Sequence, residues 1–181
     1  FEPSHRQLVE VREDVRPHML VAWGLAEDLR LPEMEDPFGW AINHLPVLRR
    51  LAAAGLVSAR HPSNARFPAV DYRQAVFDGT GLLPSNAIRF HVQPVSNGGQ
   101  VRFRRNWLRA WHGPGLHAVE AIAREGLRGD RKGRIFLTPS FQYPFCLYAV
   151  PDVRVACGAR LRLVLEVRVR PGAFWEHGDH R

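Results

Sequence analysis

Two short stretches carry residue types able to do chemistry: Trp111-His112-Gly113-Pro114-Gly115 and, about twenty residues on, Gly133-Arg134-Ile135-Phe136-Leu137-Thr138-Pro139-Ser140-Phe141-Gln142-Tyr143. The first ends an apolar-rich run from Arg105 to Trp111, so an imidazole and a backbone without side chain sit together where a strand gives way to a loop. That is a place to hold a ligand. A His-Gly pair alone is a weak signal, and the plain alternative is a strand-end histidine satisfied by its own loop.

The elements that must position these residues are legible on either side. From Leu116 to Leu127, apolar residues at 116, 119, 122/123 and 127 follow helical spacing, and Gly126 stands where a C-terminal cap belongs. A short apolar strand, Arg134 to Leu137, comes next. Strand, His-Gly, helix closing on Gly-Leu, strand, then Ser-x-x-Tyr: this order resembles the ADP-ribosyltransferase superfamily, in its His-Tyr-Glu division of diphtheria-toxin-like and poly-ADP-ribose-polymerase-like enzymes. The Trp-His-Gly opening and the Thr-Pro-Ser-x-x-Tyr ending are most similar to the neuralized-like branch, which includes bacterial effectors that ADP-ribosylate ubiquitin on threonine. The resemblance covers about residues 100 to 175, roughly two fifths of the chain.

The resemblance implies roles residue by residue. Nicotinamide leaves as a neutral ring from an oxocarbenium-like ribose, so such a site holds the carboxamide, stacks the ring and stabilises the sugar cation. His112 would hydrogen-bond the adenosine-side ribose, and the Gly113 backbone would pair with the nicotinamide amide. Ser140 would supply an amide hydrogen bond and Tyr143 a stacked ring, an arrangement worth about 0.5–1.5 kcal/mol beyond burial. Tyr148 competes with Tyr143 for the stacking role; simple core packing is the plain alternative for both. The family's catalytic glutamate hydrogen-bonds the ribose and activates the acceptor. Glu166 is one candidate, although its run Leu163-Val164-Leu165-Glu166-Val167 looks more like the strand before the catalytic one. Glu176 is a second, in a turn-like stretch beside Trp175, His177 and Asp179. A replaced glutamate and a catalytic strand beyond the chain end are the other two readings.

Composition bounds the rest. The chain has 181 residues and a formal charge of +7, enough length to bury about two thirds of its unfolded surface and enough charge to favour an acidic partner. Nucleic acid, an acidic protein face and a dinucleotide pyrophosphate all suit that charge. Cys146 and Cys157 lie in or beside apolar runs without metal-ligand spacing and read as reduced core residues in a cytosolic setting. No apolar stretch approaches the roughly 20 residues that span a bilayer, and no signal peptide opens the sequence.

Along the chain, Leu8, Val11, Val15, Met19, Leu20, Trp23 and Leu29 lie mostly three or four apart, which reads as one or two helices broken near Pro17. Residues 32 to 39 form a loop that enters a helix. A short amphipathic helix follows, opened by Pro46 and stopped by Gly55, with Arg49 and Arg50 on its wet face. Residues 60 to 85 read as a long packed connection with a brief pattern at Val70, Tyr72 and Val76. Ile88, Phe90 and Val92 alternate with Arg89, His91 and Gln93, and the Asn97-Gly98 turn leads into Gln100 to Arg105, so 87 to 105 is a hairpin. The clearest strand is Arg160 to Arg170, ended by Pro171-Gly172.

The expectation is an α+β fold: an ADP-ribosyltransferase-like split antiparallel sheet over residues 87–181 with a helical recognition and support region over 1–86. The expected activity is NAD-dependent mono-ADP-ribosylation of a protein, with ubiquitin as the named guess, NAD as substrate and no metal. The expected setting is the cytoplasm, or the host cytosol for a secreted bacterial effector or toxin, away from membranes. Two alternatives stand beside it. An RNA 2'-phosphotransferase shares the fold, NAD and a nearby His-Gly, and suits the basic charge, but no Gly-His-Ser precedes His112. A catalytically inactive binding domain of the same fold is the other.

Overall fold

The structure is a computed structural model that describes residues 8–12, 15–24, 29–67, 86–93, 106–139, 153–155, 158 and 160–177. Ser140, Tyr143, Tyr148, Cys146 and Cys157 lie outside the described residues, as do the Asn97-Gly98 turn with the Gln100 to Arg105 run and the pattern at Val70, Tyr72 and Val76.

Among the described residues the chain is mixed α and β, with nine strands and three α-helices. Strands β1 (Leu8–Val11) and β2 (Pro17–Gly24) lead into a 3-10 turn (Leu31–Glu33), then helices α1 (Pro37–His44) and α2 (Pro46–Ala53). Strands β3 (Ala65–Phe67), β4 (Ala87–His91) and β5 (Leu108–His112) precede helix α3 (Val119–Glu125). Strands β6 (Ile135–Leu137), β7 (Val153–Arg154), β8 (Arg160–Val169) and β9 (Phe174–His177) follow. All pairings are antiparallel: one sheet runs β6-β1-β9, the other β3-β4-β2-β8-β5 with β7 also on β8.

The helices expected over residues 5 to 31 are strands instead. The reason is burial on both faces. β2 lies between β4 and β8; Leu20 and Ala22 enter the main core while Val21 enters a second core on the opposite face. A strand wetted on neither side loses the apolar-polar alternation by which strands are recognised, and its apolar positions then mimic helical spacing. β1 is likewise central, between β6 and β9. Both sheets therefore join residues from before and after position 86, and the sheet hydrogen bonding does not follow the 1–86 and 87–181 division. Glu176, expected in a turn-like stretch, lies in β9 opposite Val9.

Local signals elsewhere operate as read. Asp36 caps α1 by accepting from the Gly39 N–H at 2.9 Å, and Pro37 occupies the first helical position where no N–H is needed. α2 starts at Pro46 and stops before Gly55, whose φ of +72° is the left-handed conformation glycine adopts without penalty. α3 starts three residues later than expected and ends at Gly126, φ +93°.

The three helices cover one face of the larger sheet. Phe38 meets Phe90 edge-on at 5.3 Å, and Leu48 and Leu51 pack with Leu20, Leu163 and Leu165. Each such fully buried leucine contributes about 1.5–3 kcal/mol. Arg50, expected only to solvate α2, also links it to α3 by an ion pair with Glu120 at 2.9 Å. Asn86 closes the end of β2: its amide donates to the carbonyls of Gly24 (3.2 Å) and Leu29 (2.7 Å), and its carbonyl oxygen accepts from Leu31 N–H (3.1 Å).

Candidate functional site

Two places bring chemistry-bearing residues together, and β5 borders both. The first is a cleft of about 650 Å³ lined by Trp111, His112 and Gly113 at the end of β5, by Ile122 and Glu125 of α3, and by the segment from Arg134 to Thr138. Small-molecule sites commonly occupy about 300–1,000 Å³. β5 reaches the cleft because its other edge is paired with β8 from Leu108↔Val169 to His112↔Leu165. Beyond that, Trp111 and Thr138 exchange backbone hydrogen bonds, so Trp111 to Gly113 and Arg134 to Thr138 form adjoining walls of one cleft.

The turn entering β6 is held by Asp130. Its carboxylate accepts from the Lys132 and Arg134 N–H groups at 2.8 and 3.0 Å and pairs with the Arg134 guanidinium at 2.7 Å. The side-chain hydrogen bond from Arg134 is the main reason its carboxyl is held down at about 2. Gly129 is obligatory here: a Cβ would stand 2.4 Å from the Gly133 carbonyl carbon. Arg134 lies over the Phe136 ring at 5.3 Å, and Arg128, paired with Glu125, stands with it on the rim of the cleft.

His112 is held neutral. Burial pushes its imidazole below the ordinary value of 6.5, against a smaller upward pull from a hydrogen bond to the Phe136 backbone. A neutral ring that donates to a carbonyl through one nitrogen presents a lone pair on the other, so it can accept a hydroxyl proton. Gly113 follows it along the cleft wall. Of the residues expected to form the site, His112 and Gly113 are thus brought together, and Ser140, Tyr143 and Tyr148 lie outside the described residues.

Glu166 is elsewhere. It sits opposite Trp111 in the β5–β8 pairing, whereas His112 sits opposite Leu165, so alternation sends the His112 and Glu166 side chains to opposite faces of the sheet. The carboxylate is fully buried within a ring of cations. His18 Nε2 lies 3.2 Å away, Arg89 Nη1 3.2 Å, Arg109 Nε 3.4 Å and Arg168 Nη2 3.6 Å. Burial pushes the Glu166 carboxyl up, but the His18 contact and the charges of His18, Arg89 and Arg109 outweigh it and hold it below the usual range. His91 extends the cluster, its ring stacked on His61 at 4.1 Å and its backbone N–H donating to the Asn64 side-chain carbonyl. Burial first, then the charges of His61 and His18, lower the His91 imidazole.

This second cluster was not singled out from sequence, although its signal was present: Arg89 and His91 on one strand, and Glu166 and Arg168 on another, recur at the two-residue period of one sheet face. What the sequence does not show is that β2 brings those two strands to either side of His18 and Met19. Among the described residues no group of three or more His, Cys, Asp or Glu has metal-holding geometry, and no helix is long and apolar enough to cross a membrane.

Compared with known proteins, the chain matches no family model, no curated protein and no solved structure at a significant level.

Proposed function

We propose that the chain is an NAD-dependent ADP-ribosyltransferase of the split-sheet type, transferring ADP-ribose to a protein acceptor, with ubiquitin as the first acceptor to test. The observation that carries this reading is the meeting of the Trp111-His112-Gly113 corner and the Arg134–Thr138 strand across one cleft of about 650 Å³. The residues present suit NAD. The free lone pair of neutral His112 can accept from a ribose hydroxyl, and the Gly113 backbone admits a planar amide without a side chain in the way. Arg128 and Arg134, paired with Glu125 and Asp130, place guanidinium groups at the rim that a pyrophosphate could share with those acids. In this reading the chain's own work is binding and orientation: holding the nicotinamide side rigid while positive charge develops on the ribose.

Glu166 has no place beside the ribose in this reading. Its carboxylate faces His18, Arg89, Arg109 and Arg168 on the other face of the sheet.

Intact-protein mass spectrometry after incubation with NAD and ubiquitin tests the proposal. The expected result is one added ADP-ribose on the acceptor, with nicotinamide released, and loss of both in His112→Ala folded by circular dichroism. Transfer of phosphate from a 2'-phosphorylated RNA in place of the adduct would replace this reading with the phosphotransferase. Absence of any NAD turnover or binding would overturn both.

A further inference from the structure

We infer that the cation cluster around Glu166 is a binding site for a phosphomonoester dianion, separate from the cleft and independent of the activity proposed for it. Three guanidiniums, from Arg89, Arg109 and Arg168, converge on one carboxylate, which leaves two positive charges uncompensated within the cluster before any histidine is counted. A structural ion pair needs one partner cation, or two; a third guanidinium with no further acid beside it among the described residues is costly to hold together, because like charges repel more strongly away from bulk water. The cost is visible at Arg168: burial, partly offset by Glu166, and the charges of Arg109 and Arg89 lower its affinity for its proton.

The geometry leaves donor capacity unspent. Arg89 Nη1 donates to Glu166 Oε2 at 3.2 Å and His18 Nε2 lies 3.2 Å from Oε1, but Arg109 Nε at 3.4 Å and Arg168 Nη2 at 3.6 Å stand beside Oε1 without hydrogen-bond alignment, so two of the three arginines surround the carboxylate without bonding it. Their side chains keep 20%, 30% and 23% of their exposure, while Glu166 at 0% lies beneath them. A ligand arriving from solvent therefore meets the arginine side chains before the acid. Phe67 backs Arg89 at 5.3 Å and the Trp107 carbonyl holds Arg168 at 3.4 Å, which fixes both forks in advance. Planar forks recognise phosphate oxygens in pairs, and a phosphomonoester carries about −1.5 to −2 at neutral pH, matching the two-charge surplus; a carboxylate or a phosphodiester, each a monoanion, neutralises only half of it.

Calorimetric titration of the whole chain at low ionic strength tests the site. Inorganic phosphate and ribose 5-phosphate distinguish the free from the esterified dianion; dimethyl phosphate and acetate at matched ionic strength are the monoanion controls. Binding of either dianion at least tenfold tighter than both monoanions is expected, with a further tenfold loss in Arg89→Gln/Arg168→Gln. Should the double variant fail to fold, Arg168→Gln carries the test alone, with a loss of at least threefold. Equal binding of dianions and monoanions, no binding of any, or unchanged phosphate affinity in a folded variant would overturn the inference.

Discussion

Trp111 and Thr138 exchange both of their backbone hydrogen bonds, the Trp111 N–H donating to Thr138 O at 2.7 Å and the Thr138 N–H to Trp111 O at 3.1 Å. This single bridge carries the larger sheet across to the strand that leads from β6, and it puts His112 beside the Thr-Pro segment. Proline at 138 removes one of the two donors and leaves the buried Trp111 carbonyl without that partner. Thr138→Pro should cost about 1–3 kcal/mol and open the cleft. Urea denaturation reads the first effect, and faster hydrogen exchange at the Trp111 amide reads the second; unchanged protection at Trp111 would show that the bridge contributes little.

Glu166 is buried beneath its cations, so removing its charge strands them. Glu166→Gln should destabilise by about 3–5 kcal/mol, the usual cost of breaking a buried pair from one side. Replacing Arg109 by Gln in the same background relieves repulsion and should recover part of the loss. A double-mutant cycle measures that coupling, and additive effects would mean that the two side chains act separately.

Acid should weaken the fold in two steps. The His91 and His112 imidazoles are held below their ordinary value of 6.5. The unfolded chain therefore binds more protons than the native one just below that value, and stability, full above about 6.5, falls as the pH drops through this window. Glu166, whose carboxyl is held below its ordinary 4.5, contributes stability that is present above 4.5 and is lost as the pH falls further. Urea midpoints at a series of pH values between 8 and 3 should show both declines, and His91→Gln should shrink the upper one to the His112 share while leaving the lower one unchanged.

Asn86 ties β2, the 29–31 segment and β4 through three side-chain hydrogen bonds, and it does so at a positive φ of 56°. Asn86→Ala leaves two backbone carbonyls and one N–H without those partners and puts alanine in a left-handed conformation. A loss of about 2–4 kcal/mol is expected. Asn86→Gly removes the conformational cost but not the lost bonds and should be the milder change, by thermal melting of the two variants side by side; equal losses would assign the whole effect to the hydrogen bonds.

Features that depend on neighbours along the chain are legible in the order of residues alone. Pro46 and Gly55 bound α2, Gly126 stops α3, alternation marks β4 and β8, and the His112-Gly113 corner follows a strand, because proline, glycine and side-chain period act within a turn or two of backbone. Features that depend on which surfaces are covered emerge only when distant strands pair. β2 reads as a helix until β4 and β8 pair with its two edges and cores form on both its faces, since burial on both sides removes the alternation that identifies a strand. The same pairing decides the fate of Glu166. Register sets it opposite Trp111 and not His112, so its carboxylate turns away from the cleft and toward arginines that are 77, 57 and two residues distant in sequence, a convergence that no local pattern encodes.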